Sequence, residues 1–208
     1  MVKEVMVVER EKLFDIGDFQ GFALSSELNY LDKILSNYRY ALRDDKLETD
    51  SSLKQIIPYV IIYNPSTRNV FGYKRHKKRP GQDFKEMRLH GKFSIGVGGH
   101  VDKEEIKIDV LTDATMRELR EEVRMHSYSV PKVFGFVNDD SDPVGQVHFG
   151  IVALVETLSE VKGVKGDEVT DERFYSIDEI DKIISSGAEM DSWTRVCWSF
   201  VKNYLLKE

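Results

Sequence analysis

The chain has 208 residues, 41% of them hydrophobic and 32% charged, with a formal net charge of −6. That length suits one large domain or one domain with a substantial extension, and the acidic balance excludes a global attraction to nucleic acid or anionic membranes. The single cysteine, Cys197, excludes an intrachain disulfide and a thiolate zinc site built from this chain alone.

The apolar runs are too short to span a bilayer as a helix, and no signal-peptide core is visible. A soluble cytoplasmic protein is expected. In chain order, Val5–Glu9 reads as a short strand. A helix is expected from Ser25 or Ser26 through Leu31, Ile34 and Tyr38 toward Leu42, followed by a polar loop over Asp44–Ser52. Ile57–Tyr63 is a β-branched and aromatic run that stops at the turn signal Asn64-Pro65-Ser66, so Val70–Arg75 pairs back as a hairpin. A basic loop leads to the short apolar strand Phe93–Val97 and then to Gly98-Gly99. A second helix is expected from Asp109 or Val110 to Arg124. Strands follow at Lys132–Val137, Val147–Val155 and Arg173–Ile177. Ser176-x-x-Glu179 fits a capping box that opens a helix, and an amphipathic helix starts near Ser192. The boundary suggested by the change in character is a 1–55 extension, one strand plus one helix, ahead of a main domain over 56–208.

The densest chemical signal is Arg117-Glu118-Leu119-Arg120-Glu121-Glu122-Val123. On a helix Glu118, Glu121 and Glu122 fall within about a third of the circumference. Like charges at this spacing cost an isolated helix roughly 0.2–0.5 kcal/mol per pair. Such a face either solvates a surface or holds a hard cation. The Gly98-Gly99 turn upstream can bring backbone close to the same cation.

These residues resemble the signature of the Nudix hydrolases, which closes on Arg-Glu-apolar-x-Glu-Glu-x-Gly-apolar. Here Arg117-Glu118-Leu119-x-Glu121-Glu122-x-Arg124-Met125 matches all of it except the glycine, which Arg124 replaces. Asp109 stands where the family has a glutamate, and the loop before it is longer than in the signature. Ala114 and the stretch Phe174-Tyr175-Ser176-Ile177-Asp178-Glu179-Ile180 also agree. The resemblance covers Ile56 to Leu205 and implies an α+β fold, the Nudix-type α/β/α sandwich with a mixed β-sheet between helices. It implies metal-dependent hydrolysis of a phosphoanhydride bond in a nucleoside diphosphate derivative or similar small diphosphate. Mg2+ is the expected cofactor, with Mn2+ as a substitute. The implied metal ligands are Glu118, Glu121, Glu122 and the carbonyl of Gly98. Glu121, Glu122 or a carboxylate of the later loop, Glu168 or Glu172, is the implied general base, and Arg117 orients a helix glutamate.

Arg75, Arg88 and His100 are candidate substrate contacts, because their segments flank Gly98. The bland alternatives are a solvated hairpin end and, for His100, a structural hydrogen bond. The aromatic residues Tyr128, Phe134, Phe136 and Phe149 are read as core rather than base-stacking groups. Asp139-Asp140-x-Asp142 is read as a solvated turn, since it lacks the glycine and distal glutamate of a calcium loop. The expected partner is a small-molecule diphosphate, with no nucleic acid, no membrane and a homodimer as one option. Two rival readings stand beside the hydrolase: a non-catalytic nucleotide-sensing module and an isopentenyl-diphosphate-isomerase-like enzyme. The isomerase needs an active-site cysteine, whereas Cys197 lies on the last helix.

Overall fold

The apolar run Val5–Val8 and the β-branched and aromatic run from Ile56 to Tyr63 are buried without a break, as strands covered on both faces are. The computed structural model describes residues 3–75, 91–103, 109–163 and 169–207. The elements begin with β1 (Glu4–Glu9), α1 (Arg10–Leu13), β2 (Gly21–Leu24), α2 (Tyr30–Asn37), β3 (Arg39–Leu42) and β4 (Leu53–Asn64). They continue with β5 (Asn69–Arg75), β6 (Phe93–Ser94), β7 (Gly96–Gly98), α3 (Val110–Glu122), β8 (Val123–Arg124) and β9 (Lys132–Asn138). The last are α4 (Pro143–Gln146), β10 (His148–Glu156), β11 (Lys162–Gly163), β12 (Val169–Tyr175), α5 (Ile177–Ser185) and α6 (Ser192–Lys207). The class is α+β, a mixed sheet with helices. Among the described residues, no helix is long and apolar enough to cross a membrane.

The chain forms two compact units. The first comprises Met1–Val60, Gly98–Glu118 and Pro131–Ala153. In it β1 pairs antiparallel with β3, Val5 opposite Ala41, and with β4, Val7 opposite Gln55. β2 pairs antiparallel with β9, Phe22 opposite Val137. The first fifty-odd residues therefore contribute strands to the sheet rather than a separate lobe. Their aromatic side chains join its core: the Tyr30 ring lies 5.3 Å from both Phe136 and Phe149, and Phe14 lies 5.8 Å from Phe149. Phe136 and Phe149 are core residues, as read from the sequence.

The helix expected over Ser25–Leu42 is shorter than its periodicity suggests. β2 ends at Leu24, and α2 starts only at Tyr30, where the Asn29 side chain accepts from the Asp32 N–H. It stops at Asn37, since Tyr38 turns extended with ψ 154° and the chain enters β3. A partner strand, β1, was available for Arg39–Leu42, and tertiary pairing overrode the helical spacing.

The Asp-rich turn also differs from its expected solvated state. The Lys54 side chain, fully buried within β4, donates to Asp140 Oδ1 at 2.7 Å and to the carbonyls of Gly145 at 2.8 Å and His148 at 3.2 Å. Arg10 grips the same carboxylate with two nitrogens, at 3.2 and 2.5 Å, and Gln20 adds a third donor at 2.7 Å. Burial opposes ionisation of Asp140, yet these donors outweigh it and hold the carboxyl well below the usual range. Burial lowers the Lys54 ammonium, which Asp140 partly offsets. Asp142 caps α4, accepting from Val144 and Gly145 N–H groups at 2.8 Å.

The second unit comprises Ile61–Val97, Leu119–Val130 and Leu154–Glu208. The hairpin is formed as expected: Tyr63 faces Val70, and Asn64 Oδ1 accepts from the Ser66 and Thr67 N–H groups at its turn. β12 runs antiparallel to β5, Phe174 opposite Phe71, with a bulge between Thr170 and Arg173 where Asp171 takes φ 54°. The Ser176–Glu179 capping box is present in both directions. Asp181 on α5 accepts from Trp198 Nε1 at 2.7 Å and Lys202 Nζ at 2.6 Å on α6.

Candidate active site

Helix α3 begins where Asp109 satisfies its first turn. Its carboxylate accepts from the Thr112 N–H at 3.2 Å and from the Thr112 hydroxyl at 2.6 Å. A shorter carboxylate than glutamate suits this task, because a capping oxygen must fold back on the backbone two or three residues ahead. Val110, Leu111 and Ala114 are buried, and Glu118, four residues after Ala114 and seven after Leu111, continues their side of the helix, which is how a carboxylate comes to be buried there. Helix α3 ends at Glu122, two residues earlier than expected. Arg124 is not in the left-handed region; with Val123 it forms β8, paired to β11. A strand exit removes the need for the signature's glycine.

In the first unit the glycines bring backbone close to the first helix carboxylate. A Cβ on Gly98 would sit 1.9 Å from the Pro58 carbonyl oxygen, so β7 approaches β4 more closely than any side chain permits. A Cβ on Gly99 would sit 2.6 Å from Glu118 Oε1 and 2.7 Å from Oε2. Glu118 is only 6% exposed. Arg117 donates through Nη2 to the His100 carbonyl at 2.8 Å and pairs with Glu118 Oε1 at 2.7 Å. Backbone glycine, buried carboxylate and bracing guanidinium thus form one local arrangement. Gly99→Ala is expected to fold with close to wild-type stability, since the carboxylate it meets ends a flexible side chain. It displaces that carboxylate, so kcat falls by about tenfold or more for an ångström-scale misplacement; circular dichroism melting and steady-state rates separate the two effects.

The His100 ring points to Gln55, whose Oε1 lies 2.8 Å from Nε2, and to His148, whose Nε2 lies 3.3 Å away. His148 Nδ1 donates to the Val144 carbonyl at 2.6 Å. Burial, with Arg43 and Arg117 nearby, holds the His100 imidazole well below its usual value, and burial lowers His148 as well. Both rings are therefore held toward the neutral form. His100 contributes to the arrangement around Glu118 through its backbone carbonyl.

In the second unit, Glu122 and Val123 line a small cleft together with Phe71, Tyr73, Val97, Gly163, Val169 and Glu172. Glu172 sits in the bulge of β12, and bulges characteristically re-aim side chains beside active sites. Its Oε2 accepts from the Gly163 N–H at 2.8 Å. The bulge depends on Asp171 at positive φ, for which the sequence offers no local signal. The Arg75 guanidinium carbon lies 5.7 Å from the centroid of Tyr73, one of the cleft's walls. Glu121 is exposed on α3. Arg88 and Glu168 lie outside the described residues.

The donor set suits a hard divalent cation. In the first unit the Glu118 carboxylate and the Gly98 carbonyl are both oxygen donors, and the bare Gly99 leaves the Glu118 carboxylate room that a side chain would fill. Among the described residues, no three His, Cys, Asp or Glu side chains converge tightly enough to enclose an ion by themselves. Magnesium does not require such an enclosure, since it is usually held by one or two carboxylates and keeps several waters.

A NUDIX domain family model matches residues 54–196. Protein YmaB of Bacillus subtilis (strain 168) is 31% identical over 164 residues, which span 75% of this chain and 76% of that one. The crystal structure of Tm1382, a protein assigned to the Nudix hydrolases, matches with a TM-score of 0.77 at 25% identity, over 97% of this chain and 100% of that one. The chain belongs to the Nudix family. As a member it is a pyrophosphohydrolase, an enzyme that cleaves a pyrophosphate bond with water.

Proposed function

We propose that the protein hydrolyses the phosphoanhydride bond of a small diphosphate, a nucleoside diphosphate derivative or a similar compound, with Mg2+ as cofactor and Mn2+ as a substitute. The observation that carries this reading is the Glu118 carboxylate, buried against the bare Cα of Gly99 and braced by Arg117. A surface-solvating glutamate would not be buried, nor would its neighbour be a glycine that makes room for it.

In this reading Glu118, Glu121, Glu122 and the Gly98 carbonyl hold the cation, directly or through its waters. When bound, a hard cation supplies charge compensation for the two phosphates and eases ionisation of water. Arg117 keeps the Glu118 carboxylate oriented by sharing itself with the His100 carbonyl. Glu122 or Glu172, which share a cleft, accepts the proton of the attacking water. The water oxygen bonds to one phosphorus, and the bond from that phosphorus to the bridging oxygen breaks. Arg75 meets the negative charge of the substrate phosphates.

Two features favour hydrolysis over isomerisation. Cys197 is fully buried on α6, and burial pushes its thiol well above the ordinary value, so it has neither the access nor the acidity for proton transfer. The intact carboxylate set argues against a purely sensing module. The test is a screen of diphosphate compounds with Mg2+, with Mn2+ and with EDTA. Turnover that disappears in EDTA is expected; an enzyme fully active in EDTA, or a full panel without turnover, overturns the proposal.

A further inference from the structure

Arg124 stands in place of a glycine, and the second unit gives it surroundings that the hydrolytic reading does not use. Directly across the β8–β11 pair from Arg124 is Lys162. Like charges opposite one another destabilise a strand pair. Both residues line a cavity of about 430 Å³, a size typical of small-molecule sites. Arg120, on the last turn of α3, is a third cation on its wall.

Helical geometry separates this cavity from the carboxylates. Arg120 follows Glu118 by two residues, roughly 200° around the helix, so it faces away from the Glu118–Glu122 side. The cavity floor is apolar, with Leu119 and Val123 buried and Met125 beside them, and Tyr128 adds an aromatic, partly exposed wall. Among the described residues Glu160 is the one carboxylate of the lining, and it pairs with Lys162 at 3.3 Å. Among the described residues, neither Arg120 nor Arg124 has an ion pair or hydrogen bond through its side chain.

A structural explanation accounts for part of this. Cations near a helix C-terminus are favoured by its exposed carbonyls, which suits Arg120 and Arg124. It does not account for Lys162, which comes from another strand and adds a third cation to a lining where the exposed Glu160 offsets only part of the positive charge. An anion in the cavity would offset the remainder, and the apolar floor would take an uncharged ring.

We infer that the cavity bounded by Arg120, Arg124, Lys162 and Tyr128 is a second ligand site, for a phosphorylated small molecule bearing an aromatic group, of the class of a mononucleotide. The phosphate lies among the three cations and the ring lies against Tyr128 and Met125. The site is separate from the carboxylate face of α3 and needs no cation.

The test is titration calorimetry of the whole chain with AMP and, separately, with inorganic phosphate, both in EDTA. Saturable AMP binding is expected, stronger than that of phosphate. Arg124→Ser and Lys162→Ser are each expected to weaken AMP by about tenfold, the loss of one charge-assisted contact. Arg120→Ser does the same from an exposed helix position where folding is not at risk, and Arg124→Lys retains binding. Tyr128→Ala weakens AMP while leaving phosphate unchanged. Glu118→Gln and Glu122→Gln do not reduce AMP affinity. Absence of saturable binding below about 5 mM, a range weaker than ordinary metabolite sites, overturns the inference. So does AMP binding that ignores the Arg120 and Lys162 substitutions or falls with those of Glu118 and Glu122.

Discussion

Glu122→Gln is expected to lower kcat by about a hundredfold or more, the usual contribution of a positioned general base or of the charge that replaces one. Glutamine keeps the shape and hydrogen-bonding reach of the side chain but removes its negative charge and its capacity to take a proton. Glu122 is half-buried at the cleft that also contains Glu172, so the substitution acts on the chemistry with little effect on packing. If Glu122 acts in the transition state, kcat and kcat/KM fall together, with KM little changed. Glu172→Gln distinguishes the two carboxylates: the one serving as base loses the acidic limb of the pH–rate profile when neutralised. Glu121→Gln, at an exposed position of the same helix, is the companion measurement. Full activity in both Glu121→Gln and Glu122→Gln would remove these two carboxylates from the mechanism. Rates against Mg2+ concentration separate lost cation affinity, which excess metal restores, from lost proton transfer, which it does not.

The second large effect is on stability. Asp140→Ala is expected to destabilise the fold by about 3 kcal/mol, the lower end for a broken buried pair. The lower end applies because the Asp140 side chain keeps 22% exposure, whereas that of Lys54 has none. For a chain of this size the loss corresponds to a drop in Tm of roughly 6–12 °C. The damage comes from Lys54, whose ammonium keeps two carbonyl acceptors but loses its counter-charge. Lys54→Met combined with Asp140→Ala should therefore recover most of the loss, since an apolar side chain of similar length needs no partner. A double variant less stable than Asp140→Ala alone would refute this account.

The same carboxylate sets an acid limit. Its pKa is depressed in the folded protein, so its contribution is complete above the unfolded value of about 3.9 and disappears as pH falls through the folded one. Asp140→Asn is less stable than wild type at neutral pH, and the gap narrows in acid; a gap that stays constant from pH 6 to about 2, across the unfolded-state value, would assign the stability to something other than ionised Asp140.

Much of the second unit was legible because its signals are local. The Asn64 turn, the Ser176–Glu179 box and the amphipathic α6 each depend on residues a few positions apart, and each formed where the spacing indicated. The family signature worked for the same reason: Arg117 to Glu122 are neighbours on one helix. The errors fall where a distant partner decided the outcome. Arg39–Leu42 became a strand because β1, some 35 residues away, offered an edge. Asp140 looked like a solvated turn because its partners lie 130 and 86 residues upstream, at Arg10 and Lys54.

The sequence by itself carried the family resemblance and, through it, the reaction class: the signature from Arg117 to Glu122, with its three glutamates at helical spacing behind a paired glycine, is complete in adjacent residues. Only the tertiary structure decided how those parts are held. It buried Glu118 against Gly99, turned the His100 ring toward Gln55 and His148, re-aimed Glu172 through a bulge, and set Arg124 opposite Lys162. Helical periodicity is written in adjacent residues, whereas close approach and strand register depend on which distant segment occupies the neighbouring space.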